Sequence, residues 1–248
     1  MIKIKSKREI ELMREAGRIV ALCHSEIAKI IKPGITTRDL DTLVFNIIQE
    51  NGATPSFKGY GGFPDSICAS PNNQVVHGFA NDKPLKDGDI ISVDIGACYK
   101  GYHGDSAWTY PVGTIDKEKE HLLKETEESL WVGLSVVKAG IHLSDVSHAI
   151  EKHAHAAGLG VVEIFAGHGI GRDLHEAPEI LNYGKPGHGP ILKPGMMLAI
   201  EPMLNSGKPG VIIQKDGWTT TTVDKKPSAH FEHTILVTED GYEIMTTL

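Results

Sequence analysis

Apolar positions along the chain form helical runs followed by strand-like alternation, and this order occurs twice. Ser6-Lys7-Arg8-Glu9 reads as a capping box, because the serine and glutamate side chains can satisfy orphan amides reciprocally. Behind it Ile10, Met13, Val20, Ile27 and Ile31 recur at helical spacing until Pro33-Gly34 stops the run. A second helix carries Leu40, Val44 and Ile47 and ends near Gly52. Glycine-rich loops then lead to two strand candidates, residues 90–97 and 102–110.

The pattern returns about a hundred residues later. Ile31-Lys32-Pro33-Gly34-Ile35, followed by Asp39-Leu40, matches Val137-Lys138-Ala139-Gly140-Ile141, followed by Asp145-Val146. Asn51-Gly52 falls opposite Ala157-Gly158. Further on, LKDGDIISVD (85–94) matches LKPGMMLAIE (192–201). Turn-then-strand segments resemble one another by chance. Two matched segments at nearly one offset favour an internal duplication, with halves of about 1–112 and 113–248.

Each matched strand carries a carboxylate where the alternation predicts an inward position, Asp94 and Glu201. Each is followed by a further strand with an acid, Asp105 in His103-Gly104-Asp105-Ser106 and Glu232 in His230-Phe231-Glu232-His233. Two hairpins of two carboxylates, related by a pseudo-twofold axis, would converge between the halves. Ionised carboxylates are seldom buried unless paired or bound to a cation. Four together predict divalent metal, against the alternative of four unrelated acids facing water. A histidine should complete the set. His168 stands among glycines in Ala166-Gly167-His168-Gly169-Ile170-Gly171, and His175 follows in Leu174-His175-Glu176. Taken singly, neither is distinguishable from a core histidine. His103, His153, His155, His188 and His230 read as surface residues or supports behind the ligands. An oxygen-rich set with one imidazole favours manganese, iron or cobalt, with zinc as the alternative.

Composition narrows the setting. The 248 residues are 40% hydrophobic and 23% charged, with a net charge of -7, enough for a substantial core. No apolar run approaches the ~18 residues of a membrane span, and the ~7–15-residue apolar region of a signal peptide is missing. No lysine/arginine stripe predicts nucleic-acid binding. Three cysteines, Cys23, Cys68 and Cys98, form neither a CxxC pair nor a disulfide framework, which points to a reducing compartment and a cytoplasmic protein.

Taken together, Asp94, Asp105, His168, Glu201 and Glu232 resemble the ligand set of methionine aminopeptidases. The resemblance extends over nearly the whole chain through Val76-His77-Gly78, Lys86-Asp87-Gly88-Asp89-Ile90, Gly101-Tyr102-His103-Gly104-Asp105, Leu198-Ala199-Ile200-Glu201-Pro202 and His230-Phe231-Glu232-His233-Thr234. It implies the short type I form of bacteria, without an N-terminal zinc-binding extension or a long insertion between His175 and Glu201. The expected fold is α+β, the pita-bread arrangement, with curved antiparallel sheet inside and helices outside, as one catalytic domain (1–248).

The resemblance also implies roles. Two divalent ions would be held with Asp105 and Glu232 as bridging carboxylates, Asp94 on one ion, and His168 and Glu201 on the other. Glu201 would also carry the proton. His77 resembles the histidine facing the scissile amide nitrogen, and His175 the one touching the next carbonyl. Tyr60, Phe63, Cys68, Leu174 and Trp218 resemble the methionine pocket, although core packing explains any one of them alone. Leu174 stands where relatives often have phenylalanine and Gly96 where some have threonine. A monovalent cation near Asn72 and Ser228 belongs to the same resemblance. The implied activity is removal of N-terminal methionine from nascent polypeptides when the second residue is small, by a monomer in transient contact with the ribosome. The alternatives are a prolidase-like, proline-specific peptidase of the same fold and an interaction protein that has lost catalysis. Retention of all five ligands with His77 and His175 argues against the last.

Overall fold

The computed structural model describes residues 2–248. Among the described residues are four α-helices and fifteen strands, with helices ahead of strands in each half, the order the apolar pattern predicts. The first half holds α1 (Lys7–Ile30), α2 (Thr37–Glu50), β1 (Thr54–Pro55), β2 (Ile67–Pro71), β3 (Gln74–Val76), β4 (Ile90–Tyr99) and β5 (Tyr102–Pro111). The second holds α3 (Lys117–Ser135), α4 (Leu143–Ala156), β6 (Gly160–Val161), β7 (Gly167–Gly169), β8 (Glu176–Ile180), β9 (Met197–Ile200) and β10 (Met203–Asn205). It continues with β11 (Val211–Ile213), β12 (Thr220–Thr222), β13 (Ser228–His230), β14 (His233–Val237) and β15 (Tyr242–Ile244).

The capping box at Ser6 forms, with Glu9 Oε2 accepting from the Ser6 amide at 2.8 Å. The repeat is visible down to single hydrogen bonds. Gly34 and Gly140 take left-handed φ of 95° and 91°, and their amides donate to Leu85 O and Leu192 O at 2.8 and 3.0 Å. Leu85 and Leu192 return the bond to Ile35 O and Ile141 O, each at 2.8 Å. Asp39 and Asp145 then accept from the amides of Thr36 and His142, fixing the starts of α2 and α4. The matched segments therefore do one task twice, clamping a helix entrance to the start of an inner strand.

All strand pairs are antiparallel. One sheet centres on β4, flanked by β2 and β5, and another runs β15-β14-β9-β7-β8. Apolar side chains of α1 and α2 (Ile19, Val20, Leu40, Val44) pack on Ile91, Val93 and Ile95 of β4. Leu130, Leu134, Val146 and Ile150 of α3 and α4 pack on Leu198, Ile200 and Ile235 in the same way. Helices outside and sheets inside give the α+β pita-bread arrangement expected.

Two expectations need correction. The first strand pair is longer than the predicted 90–97 and 102–110, because Lys100 and Gly101 close it at positive φ with Tyr99 opposite Tyr102. The second carboxylate pair is not a hairpin. β9 and β14 are neighbours in the sheet, but residues 201–232 leave it between them and build β10 to β13.

Candidate metal centre

The register of the first hairpin decides where its acids point. Asp94 lies opposite Ala107 and Asp105 opposite Gly96, so alternation sends both carboxylates to one face as diagonal neighbours. In the second half Ile200 pairs with His233, so Glu201 and Glu232 follow immediately beyond the end of that ladder. His168 pairs with Ala199, two residues before Glu201, and shares its face.

The halves are stitched directly through these residues. Thr234 Oγ1 accepts from the Asp105 amide at 3.1 Å and donates to Asp105 O at 2.8 Å. Ser106 Oγ donates to Glu232 O at 2.6 Å, and the Glu232 amide donates to Ala107 O at 2.8 Å. Asp105 and Glu232 thus sit on the seam itself, 3% and 2% exposed.

Ligand atoms of Asp105, His168 and Glu232 all lie within 4.8 Å of one another. His168 Nε2 stands 3.9 Å from Asp105 Oδ2 and 3.6 Å from Glu201 Oε1. Its Nδ1–H donates to Gly169 O at 2.9 Å, which leaves the Nε2 lone pair free for a cation. Three carboxylate oxygens, Asp94 Oδ1, Asp105 Oδ1 and Glu232 Oε1, are buried with no hydrogen-bond partner among the described residues. Orphaned anionic oxygens of this kind are expensive unless a cation meets them.

The electrostatics agree. Burial, with the Glu201 charge adding to it, pushes Asp94 up to about 7. Burial pushes Glu201 up to about 8. Burial and then the neighbouring acids hold Asp105 and Glu232 well above the usual carboxylate range. Without positive charge the four cannot ionise together near neutral pH. Burial pushes His168 down to about 4, so its imidazole is neutral and able to bind metal. The residues present therefore fit divalent metal.

The acids form the floor of a cavity of about 300 Å³. Every other site residue expected from the sequence lines it: Tyr60, Phe63, Cys68, His77, Leu174, His175 and Trp218. Phe63, Cys68 and Leu174 are buried, while Tyr60 and His175 stand at the mouth. Tyr60 Oη lies 2.8 Å from His175 Nδ1. His77 adopts φ 60°, a conformation that costs a non-glycine residue about 1–3 kcal/mol and gathers at functional sites. Its ring meets Phe165 and Trp218 edge-on, and burial pushes it down to about 4.

Sequence reasoning missed several lining residues, among them Phe57, Phe165, Met203 and His230. Of the two readings open for His230, surface residue or support behind the ligands, burial excludes the first: it is 1% exposed and faces the cavity. Its position two residues before Glu232 was the available signal, since strand alternation sends both the same way. His153, in contrast, is remote and pairs with Glu125 at 2.9 Å. The glycine at position 96 is explained by crowding. A Cβ there would meet Ser56 Cβ at 2.7 Å and Phe57 Cε1 at 2.8 Å, so Phe57 occupies the room a threonine would need. Asn72 and Ser228 are engaged by the chain itself. Asn72 Oδ1 accepts from the Ile90 amide at 3.2 Å and Asn72 O from the Ser228 amide at 2.9 Å.

Comparison with known proteins places this arrangement in a family. The model of metallopeptidase family M24 matches residues 11–239. Methionine aminopeptidase 1 of Bacillus subtilis is 56% identical over 246 residues, 99% of each chain. The methionine aminopeptidase of Clostridium perfringens is 48% identical over the full length of both. The crystal structure of methionine aminopeptidase from Thermotoga maritima superposes with a TM-score of 0.98 at 48% identity, covering 100% of both chains. Prolidase from Pyrococcus furiosus shares the fold more distantly, with a TM-score of 0.81, 25% identity and coverage of 65% of that chain. With its buried carboxylate cluster and a family match over most of its length, the chain belongs to metallopeptidase family M24.

Proposed function

We propose that this chain is a metal-dependent methionyl aminopeptidase of the short bacterial type I form, removing N-terminal methionine when the second residue is small. The observation that carries the reading is the carboxylate cluster lining a cavity shared with apolar and aromatic side chains. Full-length similarity to methionine aminopeptidases supports it over the prolidase reading, whose named structures are far less similar in sequence.

Asp94, Asp105, His168, Glu201 and Glu232 are assigned to two divalent ions, Mn, Fe or Co before Zn. When bound, such ions polarise a carbonyl and make a water nucleophilic at neutral pH. The remaining roles belong to the chain. Glu201 accepts the proton of the attacking water at its carboxylate and passes it to the leaving amide nitrogen, which His77 faces. With Tyr60 O–H donating to Nδ1 of His175, Nε2–H of that ring is directed to the substrate's next carbonyl. Tyr60, Phe63, Cys68, Leu174 and Trp218 enclose the methionine side chain, whose polarisable thioether suits aromatic and thiol walls. The two histidines leave little room for a bulky second residue.

The physiological setting follows from that activity. We assign nascent polypeptide N-termini as substrates, reached in the cytoplasm by a monomer in transient contact with the ribosome. No described helix is long and apolar enough to cross a membrane. The whole chain acts as one catalytic domain, its halves meeting near residues 112 and 113. The monovalent cation remains assigned by resemblance alone, to Asn72 and Ser228. The test is cleavage of Met-Ala-Ser, Met-Leu-Ser and Ala-Pro-Ser with each metal and with chelator. Met-Ala-Ser should be cleaved best. Preference for Ala-Pro-Ser would establish the prolidase reading instead.

A further inference from the structure

His230 is a buried polar side chain of the cavity to which the chemistry above gives no task. It ends β13, opposite Met203 of β10, and its Nε2 has no hydrogen-bond partner among the described residues. Leaving a buried donor or acceptor unsatisfied is costly, and native structures seldom do so without a functional reason. Glu201 Oε2 lies 3.4 Å from this nitrogen, close but not aligned for a hydrogen bond. The other oxygen of the same carboxylate, Oε1, stands 3.6 Å from His168 Nε2. Glu201 is therefore flanked by an imidazole at each oxygen.

The two imidazoles differ in what they can offer. His168 gives its Nδ1 proton to Gly169 O, so its Nε2 presents a lone pair. No carbonyl among the described residues takes the Nδ1 proton of His230, so Nε2 is free to carry the hydrogen and donate it. A small rotation of the Glu201 side chain closes the 3.4 Å separation into a charge-assisted hydrogen bond, which is the stronger kind. We propose that His230 is a positioning residue for Glu201, donating Nε2–H to Oε2 and so fixing which carboxylate oxygen faces the reacting atoms. Fixing a proton-carrying group in this way is a contribution to orientation, which governs turnover more than binding.

The inference rests on the proposed role of Glu201, so its tests include one that needs no activity. In protein loaded with zinc, the imidazole nitrogen shifts of His230 should report the Nε2–H tautomer with a hydrogen bond. That signature should weaken in Glu201→Gln. An Nδ1–H tautomer, or shifts indifferent to Glu201→Gln, overturns the proposal even if the aminopeptidase reading stands. Kinetics on Met-Ala-Ser supply the second arm, with bound metal measured in each variant. His230→Leu should lower kcat by ~10-fold or more while KM and metal content stay within about threefold. His230→Gln, which keeps an N–H donor, should recover most of that loss. Should the leucine variant unfold, His230→Phe keeps the ring without the donor and takes its place. Loss of one metal equivalent with kcat restored by added metal would make His230 a ligand instead. A rise in KM at unchanged kcat would make it a substrate contact, and either result overturns the positioning role. No cleavage by the unaltered protein would count against the functional reading, leaving the tautomer measurement to decide this one.

Discussion

The first half of the molecule closes its carboxylate strands with two residues, and the second half spends residues 201–232 on the same connection. Lys100 and Gly101 turn β4 directly into β5, keeping Asp94 and Asp105 inside one continuous ladder. Between β9 and β14 the chain instead leaves the sheet, forms β10 to β13, and returns at His233, just after Glu232. That excursion brings Met203, Trp218 and His230 to the cavity. The shared scaffold therefore fixes where the four acids meet, whereas the unshared segment supplies walls. Duplication alone would give a symmetric cluster of acids; the excursion adds Met203, Trp218 and His230 to walls that Phe57, Tyr60, Phe63, Leu174 and His175 supply from elsewhere in the two halves.

The comparison is broken most severely at the seam, where the backbone of one acid from each half is hydrogen-bonded across to the other half. Asp105→Ala and Glu232→Ala should each weaken metal binding at both positions, because each carboxylate is assigned to both ions. Activity should fall by more than ~10²-fold, since even residues behind metal ligands cost 10–100-fold. Calorimetric metal titration checks this, and unchanged affinity at both positions would remove the dinuclear assignment.

A smaller effect separates the halves. Asp94 and Glu201 occupy matched places in the repeat, so Asp94→Asn and Glu201→Gln should both reduce metal affinity. Once metal is verified to fill both sites, the asparagine variant should regain most of its turnover. The glutamine variant should remain ~10²-fold down, as expected for a lost proton carrier. Equal recovery of both would make Glu201 a ligand only, and the halves chemically equivalent. Smaller again is the effect of Trp218→Ala in the excursion. It should raise KM for Met-Ala-Ser by roughly tenfold, about 1.4 kcal/mol, with kcat little changed. A fall in kcat at constant KM would mean the excursion shapes the chemistry as well as the pocket.

Much of this asymmetry was hidden in the sequence, and the reason is physical. Alternation and turn residues are local, so the helices, the matched clamps at Gly34 and Gly140, and the inward acids could all be read. How two neighbouring strands are connected is not local. Glu201 and Glu232 were expected on a hairpin because Asp94 and Asp105 lie on one. The chemistry-bearing residues were legible because buried acids are rare enough to need explaining. Phe57, Phe165 and Met203 were not, because an apolar residue lining a cavity looks like one filling a core. His230 is the instructive case: its alternation with Glu232 was visible, but nothing else in the sequence separated it from His103, His153, His155 and His188.

The smallest expected effect sets the seam against the two halves through pH. Asp94 and Glu201 have folded values near 7 and 8, above the ~3.9 and ~4.3 of an unfolded chain. In metal-free protein the folded state then holds more protons than the unfolded state across that window. Stability is consequently present at lower pH and lost as pH rises through about 7 to 8. His24, in the first half, and His233, in the second, behave oppositely. Burial pushes each down to about 4, below the ~6.5 of an unfolded histidine, so their contribution is lost as pH falls from ~6.5 toward 4. Above ~6.5 these two histidines no longer contribute, whereas the seam carboxylates still titrate. The urea midpoint of chelator-treated protein should therefore decline between pH 6.5 and 8, while saturating metal should abolish the decline by supplying the missing positive charge. A decline of the same size with and without metal would place its origin outside the four carboxylates, and the seam would lose its claim to be where the halves' electrostatics are joined.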